Sequence, residues 1–463
     1  VASRAALPTL DAPTGLLELA ARAQRARAEG TARTYLPHVV AWNLTRRCNL
    51  ACAHCYISAG SWHAAAGELD TATCTRILDE LLGVNPSPVL ILSGGEPLLR
   101  TDLETLAERA ARAGATVVVG TNGTRLTNTR IGSLTSAGVK GVAVSIDSLE
   151  ERYHDRFRHG EGSLGETLAA VDRLREHGLD FIVQTTVTRG NRDEIPALAA
   201  WSADRGAVAF NVYFVVPTGR AEQMRGMEPE ENDAVLRELV ALERAYRGRM
   251  MVRSKCQPQL MRHALLGDPD STLLNYETRC PCGTQYCRIT PEGKLTPCPY
   301  TPAVAGDLTT SSFAEIWDRS PVFQALRSGA LGGKCGRCEF REVCGGCRAR
   351  AYAQSGDLLG PDESCVYEPT GKAPLVEPRR AVTYGSTFEA QLEWAPEAEA
   401  RLRAIPSFVR GTVTERVEKF ARERGYARVD LEVMAEVRRA MPVDFSKRLP
   451  FFLSKARDTE SEV

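Results

Sequence analysis

The side chains best able to do chemistry in this chain are its 14 cysteines, and they are clustered rather than spread. Three stand at Cys48, Cys52 and Cys55 as a C-x3-C-x2-C array, and nine lie between Cys280 and Cys365. Clustering of this kind in a large chain favours metal or iron–sulfur ligation over disulfides. Three thiolates can hold three irons of a 4Fe–4S cluster, leaving the fourth iron open to bind a small molecule and pass it an electron. The same array, completed by His54 or a remote residue, would also suit zinc. The later cysteines run Cys280-Pro281-Cys282, Cys287 and Cys298, then Cys335-x2-Cys338-x5-Cys344-x2-Cys347, and last Cys365. On spacing alone they fit zinc and iron–sulfur sites equally. Cys74, on a helical stretch, reads as a buried small hydrophobe, and the inert reading is favoured for Cys256.

These cysteines need a frame. Strand-like apolar runs recur at His38–Thr45, Val89–Ser93, Thr116–Thr121, Gly141–Ile146, Phe181–Val187 and Val208–Val216. Amphipathic helical stretches alternate with them, at Thr73–Leu82, Leu103–Ala113, Gly165–His177 and Glu194–Asp204. Repeated βα units argue for a parallel sheet. Eight would close a barrel, whereas six fit a doubly wound sheet or an incomplete barrel. The first strand runs straight into the cysteine triad, and the second ends in Ser93-Gly94-Gly95-Glu96-Pro97. Loops at strand C-terminal ends carry the chemistry in such folds. Glycines there permit close approach to a ligand, and Glu96 offers a carboxylate to an ammonium group.

Composition sets the outer limits. A chain of 463 residues suggests two or three domains, and 43% hydrophobic with 25% charged residues excludes disorder and collagen. The 58 basic and 58 acidic side chains cancel, which argues against chain-wide nucleic-acid binding. No apolar run approaches the ~20 residues of a membrane span, and the first thirty residues show no signal-peptide core. The expectation is a soluble, cytoplasmic protein with no membrane partner.

With a cysteine triad after the first strand and Gly-Gly-Glu-Pro after the second, residues 38–250 resemble the radical S-adenosylmethionine (SAM) superfamily. The resemblance implies a partial (β/α)6 TIM-like barrel within the α/β class. It implies that Cys48, Cys52 and Cys55 bind a 4Fe–4S cluster whose open iron is chelated by SAM. Gly94, Gly95 and Glu96 match the segment that binds the SAM amino end, and His54 takes the usually aromatic slot near adenine. Thr121-Asn122-Gly123 follows the third strand, and Ser145 and Asp147 match ribose-contacting positions. Gln184 and Val216 fall where such enzymes often line the SAM pocket. The implied chemistry is reductive cleavage of SAM to a 5′-deoxyadenosyl radical that abstracts hydrogen from a substrate. The protein supplies orientation and shelter.

Downstream, Cys282, Gly293 and Cys298, the C-x2-C-x5-C-x2-C run and the late Cys365 resemble the SPASM extension of that superfamily, expected over 251–370. The resemblance implies two auxiliary 4Fe–4S clusters, three in all. One would take Cys282, Cys287, Cys298 and Cys347, with Cys280 as a surplus thiol able to replace Cys282. The other would take Cys335, Cys338, Cys344 and Cys365. Here two residues separate Cys344 from Cys347, where the family commonly has three.

Residues 371–393 read as a linker, and 1–37 as an N-terminal helical segment ending its helix near Gly30. Beyond the linker, over 394–463, Pro396 suits a helix start, and Val409, Val413, Val417 and Phe420 share one helical face. Gly425 suits a helix end, and a further helix is expected over Leu431–Ala440. Trp394 through Ala440 resembles the C-terminal helical domain of light-independent protochlorophyllide reductases. Pro297-Cys298-Pro299-Tyr300 and the run Cys344 to Tyr352 are similar to the SPASM regions of radical SAM enzymes in alternative haem and haem d1 pathways. Together these imply modification of a tetrapyrrole side chain, by oxidative decarboxylation or side-chain removal. A low-potential donor such as flavodoxin or ferredoxin would feed the electrons. The rival within the superfamily is a peptide or protein maturase, and the rival outside it is a non-catalytic iron–sulfur or zinc protein. No particular catalytic acid, base or carboxylate-binding arginine is nominated by the sequence.

Overall fold

The computed structural model describes residues 35–61, 67–276, 279–378, 388 and 390–440. The expected N-terminal helix and part of the 371–393 linker lie outside them. Seven strands run parallel and in chain order: β1 Val39–Asn43, β2 Val89–Ser93, β3 Thr116–Thr121, β4 Gly141–Ser145, β5 Asp180–Val187, β6 Ala209–Phe214 and β7 Met251–Lys255. The chain then returns to the other flank. There β8 Tyr286–Ile289 pairs parallel with β1, and β9 Lys294–Thr296 and β10 Gly306–Asp307 continue antiparallel. Six βα units were expected. The sheet gains β7 and β8 from the segment assigned to the SPASM extension, so barrel and extension share one ten-stranded sheet. Helices join the strands, including three the apolar pattern did not suggest: Asn128–Ser136, Glu151–Arg158 and Pro229–Tyr246.

Strand alternation assigns the two faces. Val40, Trp42, Leu90, Leu92, Val117, Val119, Val142, Val144, Val183 and Val212 pack outward in the main core, against helices such as Thr71–Val84 and Leu103–Arg112. Cys74 is buried in this core, as expected. The inner face changes character along the strands. Near the N-terminal ends it is a ring of Val39, Val89, Val118, Ala143 and Ile182. Toward the C-terminal ends it becomes Ser93, Gly120, Ser145, Gln184, Thr186, Asn211 and Tyr213, all facing one cavity.

The small C-terminal domain closes the apolar end of that bore. Its helices are Pro396–Arg403, Ser407–Glu423 and Leu431–Ala440, with Gly425 at φ +77° just past the second. Trp394, Ala398, Val417, Ala421, Val433 and Val437 form its core. The buried carboxylate of Glu418 accepts N–H bonds from Gln391, Leu392 and the Trp394 indole (2.9–3.1 Å). Docking is specific. Ser407 Oγ meets His38 Nδ1 at 2.8 Å and accepts from Asn85 Nδ2 at 2.9 Å, and Ser407 N donates to Ser87 O at 2.9 Å. Beside them Phe408 packs into the apolar ring. Among the described residues no helix is long and apolar enough to cross a membrane.

Candidate active site

The first cysteine loop leaves β1 and is held from three sides. Cys48 N donates to Gly60 O, Ala51 N to Arg158 O and Ala53 N to Phe157 O. From the loop after β6, Arg220 donates to Cys52 O and Ala59 O, both at 2.7 Å, and its own N–H donates to Cys55 O. Gly219 sits so close that a Cβ would stand 2.6 Å from Cys55 O. From the β2 end, Gly95 N donates to Thr45 O and Glu96 N to Arg47 O. Cβ atoms on Gly94 and Gly95 would lie 2.6 Å from Thr45 O and 2.2 Å from Arg47 O. The glycine pair therefore serves first to let two backbones touch, and only then to admit a ligand.

All three thiols line the cavity, and burial raises the thiols of Cys48, to about 12, and Cys52. A buried thiolate is costly without a nearby cation, so the donor set suits iron, whose charge would offset that cost. N–H groups are already aimed at sulfur, from Leu50 to Cys48 at 3.4 Å and from Ala59 to Cys55 at 3.3 Å.

The cavity encloses ≈ 500 Å³ and runs from the apolar ring to the C-terminal ends of the strands, within the range of small-molecule sites. Of the residues expected to contact SAM, His54, Gly94, Gly95, Asn122, Ser145 and Gln184 line it. His54 stacks on Phe157 with ring centroids 4.5 Å apart, and burial pushes its imidazole down to about 4, so it is neutral. Asn122 donates to Asn49 Oδ1 at 3.0 Å.

Three expected contacts are placed differently. Glu96 is fully buried and turned away from the cavity, its carboxylate accepting from Thr121 Oγ1, Asn122 N and Leu98 N (2.8–3.1 Å). Asp147 is likewise buried, bonded to Arg158 (2.7 Å) and Thr186 N (2.7 Å). The Arg158 guanidinium helps hold its carboxyl below the usual range against the opposing effect of burial. Both carboxylates thus shape the site through neighbours: Glu96 fixes Asn122, and Asp147 fixes Arg158, which reaches to 3.9 Å from Cys52 Sγ. Val216 packs in the apolar cluster beside Cys282, Cys298 and Cys347.

The later cysteines separate into two groups. Cys335, Cys338, Cys344 and Cys365 surround a small cavity of ≈ 30 Å³. Gly346 N donates to Cys344 Sγ and Asp362 N to Cys335 Sγ (3.5 and 3.4 Å). Gly345 and Gly346 hold φ +66° and +67°, and a Cβ on Gly346 would stand 2.9 Å from Cys335 Sγ. This cradle fits the cluster assigned to these four thiols. Among the described residues, no group of three or more His, Cys, Asp or Glu is arranged to hold a single metal ion.

The second group departs from the expected set. Cys282, Cys298 and Cys347 come together at the wall of the large cavity, with Cys280 beside Cys282. Cys287 does not join them. It lies on β8 next to Tyr286, and alternation sends Tyr286 to the cavity and Cys287 into the main core, where burial raises its thiol. Cys256, read as inert, instead closes on Cys347 from the end of β7, with its backbone at φ +62°. That rare conformation for a side-chain-bearing residue turns the chain inward. The sequence offered one unused signal: Cys256 ends a strand on the chemically active edge of the sheet.

Tyr56, Tyr213, Tyr286 and Tyr300 form an aromatic wall between the cysteine groups. Tyr56, next to Cys55, meets Tyr300 with centroids 5.0 Å apart, and Tyr300 meets Tyr213 at 6.4 Å. Burial keeps these phenols protonated.

A parallel sheet with a three-cysteine loop, an open cavity and a second thiol cradle defines an iron–sulfur enzyme that works on a bound small molecule. Comparison with known proteins agrees. The radical SAM superfamily model matches residues 42–201, an iron–sulfur cluster-binding SPASM domain matches 280–348, and a proto-chlorophyllide reductase 57 kD subunit model matches 394–438. The chain is 38% identical to the AdoMet-dependent heme synthase of Methanosarcina barkeri over 74% of its own length and 99% of that protein's. It is 30% identical to the pre-heme d1 synthase of Dinoroseobacter shibae, over 71% of this chain and 85% of that one. Streptococcus suis SuiB, solved with S-adenosylmethionine, shares the fold at a TM-score of 0.59 and 15% identity, covering 75% of this chain and 81% of SuiB. The protein belongs to the radical SAM superfamily, in its SPASM-bearing branch, and is an enzyme using SAM and iron–sulfur clusters.

Proposed function

We propose that this enzyme oxidises a side chain of an iron tetrapyrrole, removing a propionate carboxylate as carbon dioxide and leaving a vinyl group. The observation that carries the reading is likeness to the M. barkeri heme synthase across 99% of that protein. The cavity supports it, because the Cys48/Cys52/Cys55 loop and the Cys282/Cys298/Cys347 group face the same ≈ 500 Å³ space.

When bound, SAM and the clusters supply a hydrogen-abstracting radical and take up the electron that remains when carbon dioxide leaves. The chain's own residues orient and shelter that chemistry. Arg220 and the Gly94–Gly95 pair fix the cysteine loop, neutral His54 flanks it, and the tyrosine wall and Phe408 limit water. Three 4Fe–4S clusters fit this reading: one on Cys48, Cys52 and Cys55, and one on Cys335, Cys338, Cys344 and Cys365. The third takes Cys282, Cys298 and Cys347 with Cys256 or Cys280, and not Cys287. An external low-potential donor such as flavodoxin or ferredoxin feeds the first.

The test is anaerobic incubation of the reconstituted enzyme with SAM, dithionite and a panel of iron porphyrins, following 5′-deoxyadenosine and porphyrin mass together. Stimulated deoxyadenosine with loss of carbon dioxide and two hydrogens per propionate is expected. Unchanged porphyrins with slow background cleavage would overturn the substrate and favour a peptide. Iron analysis of Cys256→Ala, Cys280→Ala and Cys287→Ala separates the ligand sets, the last retaining its full iron content.

A further inference from the structure

The residues of β8 divide between two faces. Tyr286 faces the large cavity, Cys287 enters the main core, and alternation returns Arg288 to the face of Tyr286, in register with Ala41 of β1. Arg288 is not among the residues that line the cavity. It is only 8% exposed, and its Nη1 donates to Pro299 O at 2.7 Å, between Cys298 and Tyr300. Its Nε is buried without a hydrogen-bond partner, and among the described residues no ion pair reaches it. Glu292, a carboxylate within its electrostatic reach, is ion-paired with Arg46 instead. A buried guanidinium is costly unless a negative charge meets it, and an arginine stays charged even where burial lowers its pKa. Chemistry decides which neighbour can supply that charge. Tyr56 acts on Arg288 most strongly, but burial keeps that phenol protonated. Next comes Cys298, whose sulfur becomes anionic when it binds iron.

We propose that Arg288 is the counter-ion of an iron–sulfur cluster on the Cys282/Cys298/Cys347 group, and that its charge makes this cluster easier to reduce. The proposal rests on reading that group as a cluster site and names the residue that tunes it. Reduction adds one electron, and so one negative charge, to the cluster and its thiolates. A buried cation beside them stabilises the reduced form more than the oxidised one. In the proposed reaction that electron is the one left on the substrate when carbon dioxide departs, so Arg288 favours its uptake. The bond to Pro299 O also ties the guanidinium to the segment that carries Cys298. The closed cradle has a cation of its own, since Arg348 Nη2 stands 3.8 Å from Cys335 Sγ. Substituting Arg288 therefore acts on one auxiliary site and spares the other.

The experiment is an anaerobic dithionite redox titration of the full, cluster-loaded chain, followed by electron paramagnetic resonance. The wild type is compared with Arg288→Gln and Arg288→Lys, all checked for iron content and circular dichroism. The signal that Cys298→Ser alters belongs to the Cys282/Cys298/Cys347 group, and the one that shifts on adding SAM belongs to the Cys48/Cys52/Cys55 loop. Arg288→Gln is expected to make the first of these about tenfold harder to reduce, a drop of about 59 mV for one electron, with the closed cradle unmoved. Arg288→Lys keeps the charge and recovers most of the loss. Iron lost from this site in the Gln variant alone, with the Lys variant fully loaded, equally supports the counter-ion. A loaded Gln variant whose potential does not fall overturns the proposal, as does a parallel shift at the closed cradle. Equal effects of Gln and Lys also overturn it, because only the bond to Pro299 O would then matter. If the wild type has no signal that Cys298→Ser alters, the group holds no cluster, and the reading beneath the proposal fails first.

Discussion

The Cys48/Cys52/Cys55 loop and the Cys335/Cys338/Cys344/Cys365 cradle use the same ligand chemistry and are built in opposite ways. The first has three thiols, opens on ≈ 500 Å³ and is clasped by residues from distant strand ends. The second has four thiols around ≈ 30 Å³, and most of its supports lie within thirty residues of one another. An iron with an open position needs room for another molecule and a frame that keeps its loop in place. Four thiols that close on one small space need neither.

The contrast can be broken most directly at the thiols. Cys55→Ser should abolish SAM cleavage and remove about four irons per chain. Cys344→Ser should also remove about four irons, yet keep the electron paramagnetic resonance signal that shifts on adding SAM. Loss of that signal in both would show the two sites to be interdependent. At the supports, Arg158→Gln leaves Asp147 buried without its partner and should cost about 3–5 kcal/mol in thermal unfolding. Lys334→Gln, beside the closed cradle, breaks pairs with the exposed Glu363 and Glu368 and the bond to Cys365 O (2.8 Å), and should cost about 1–2 kcal/mol.

Burial, reinforced by Arg158, pushes His154 from its ordinary 6.5 down to about 4, and its Nδ1 accepts from Asp147 N at 3.3 Å. The unfolded chain takes up that proton near 6.5 while the folded one refuses it until about 4. Stability should therefore be full above that window and fall as pH drops through it, by up to about 1.4 kcal/mol per pH unit. A melting series from pH 7 to pH 4 should show a shallower slope for His154→Gln. A truncation probes the bore's floor. Phe408→Ala should cost about 1–3 kcal/mol, because the side chain is half-buried, without changing the iron content.

Much of the frame was legible because it rests on local pattern. Val89–Ser93, Thr116–Thr121 and Leu431–Ala440 fall where periodicity puts them, and the cysteine spacings mark both thiol regions. Longer-range facts were not legible. Nothing adjacent in sequence announces that Arg220 will clasp Cys52, or that Arg158 will join Asp147 beneath it. A motif also names a position without naming its partners: the Glu96 and Asp147 carboxylates accept from Asn122 N and Thr186 N. Spacing counts residues and ignores strand faces, so it grouped Cys287 with cysteines that the fold sets on another face. Its neighbour Tyr286 faces the cavity, so Cys287 points away.

Phe408 has a consequence for how the molecule is made. Every strand of the barrel precedes it in the chain, and domains fold in the order in which they are synthesised. A nascent chain can therefore hold a finished sheet whose lower rim, Val39, Val89, Val118 and Ile182, is still bare to water. The helical domain, which emerges after the barrel, covers that rim. A chain truncated before Ser407 would keep all 14 of these cysteines and put an apolar ring on display, the kind of surface that chaperones retain and proteases find.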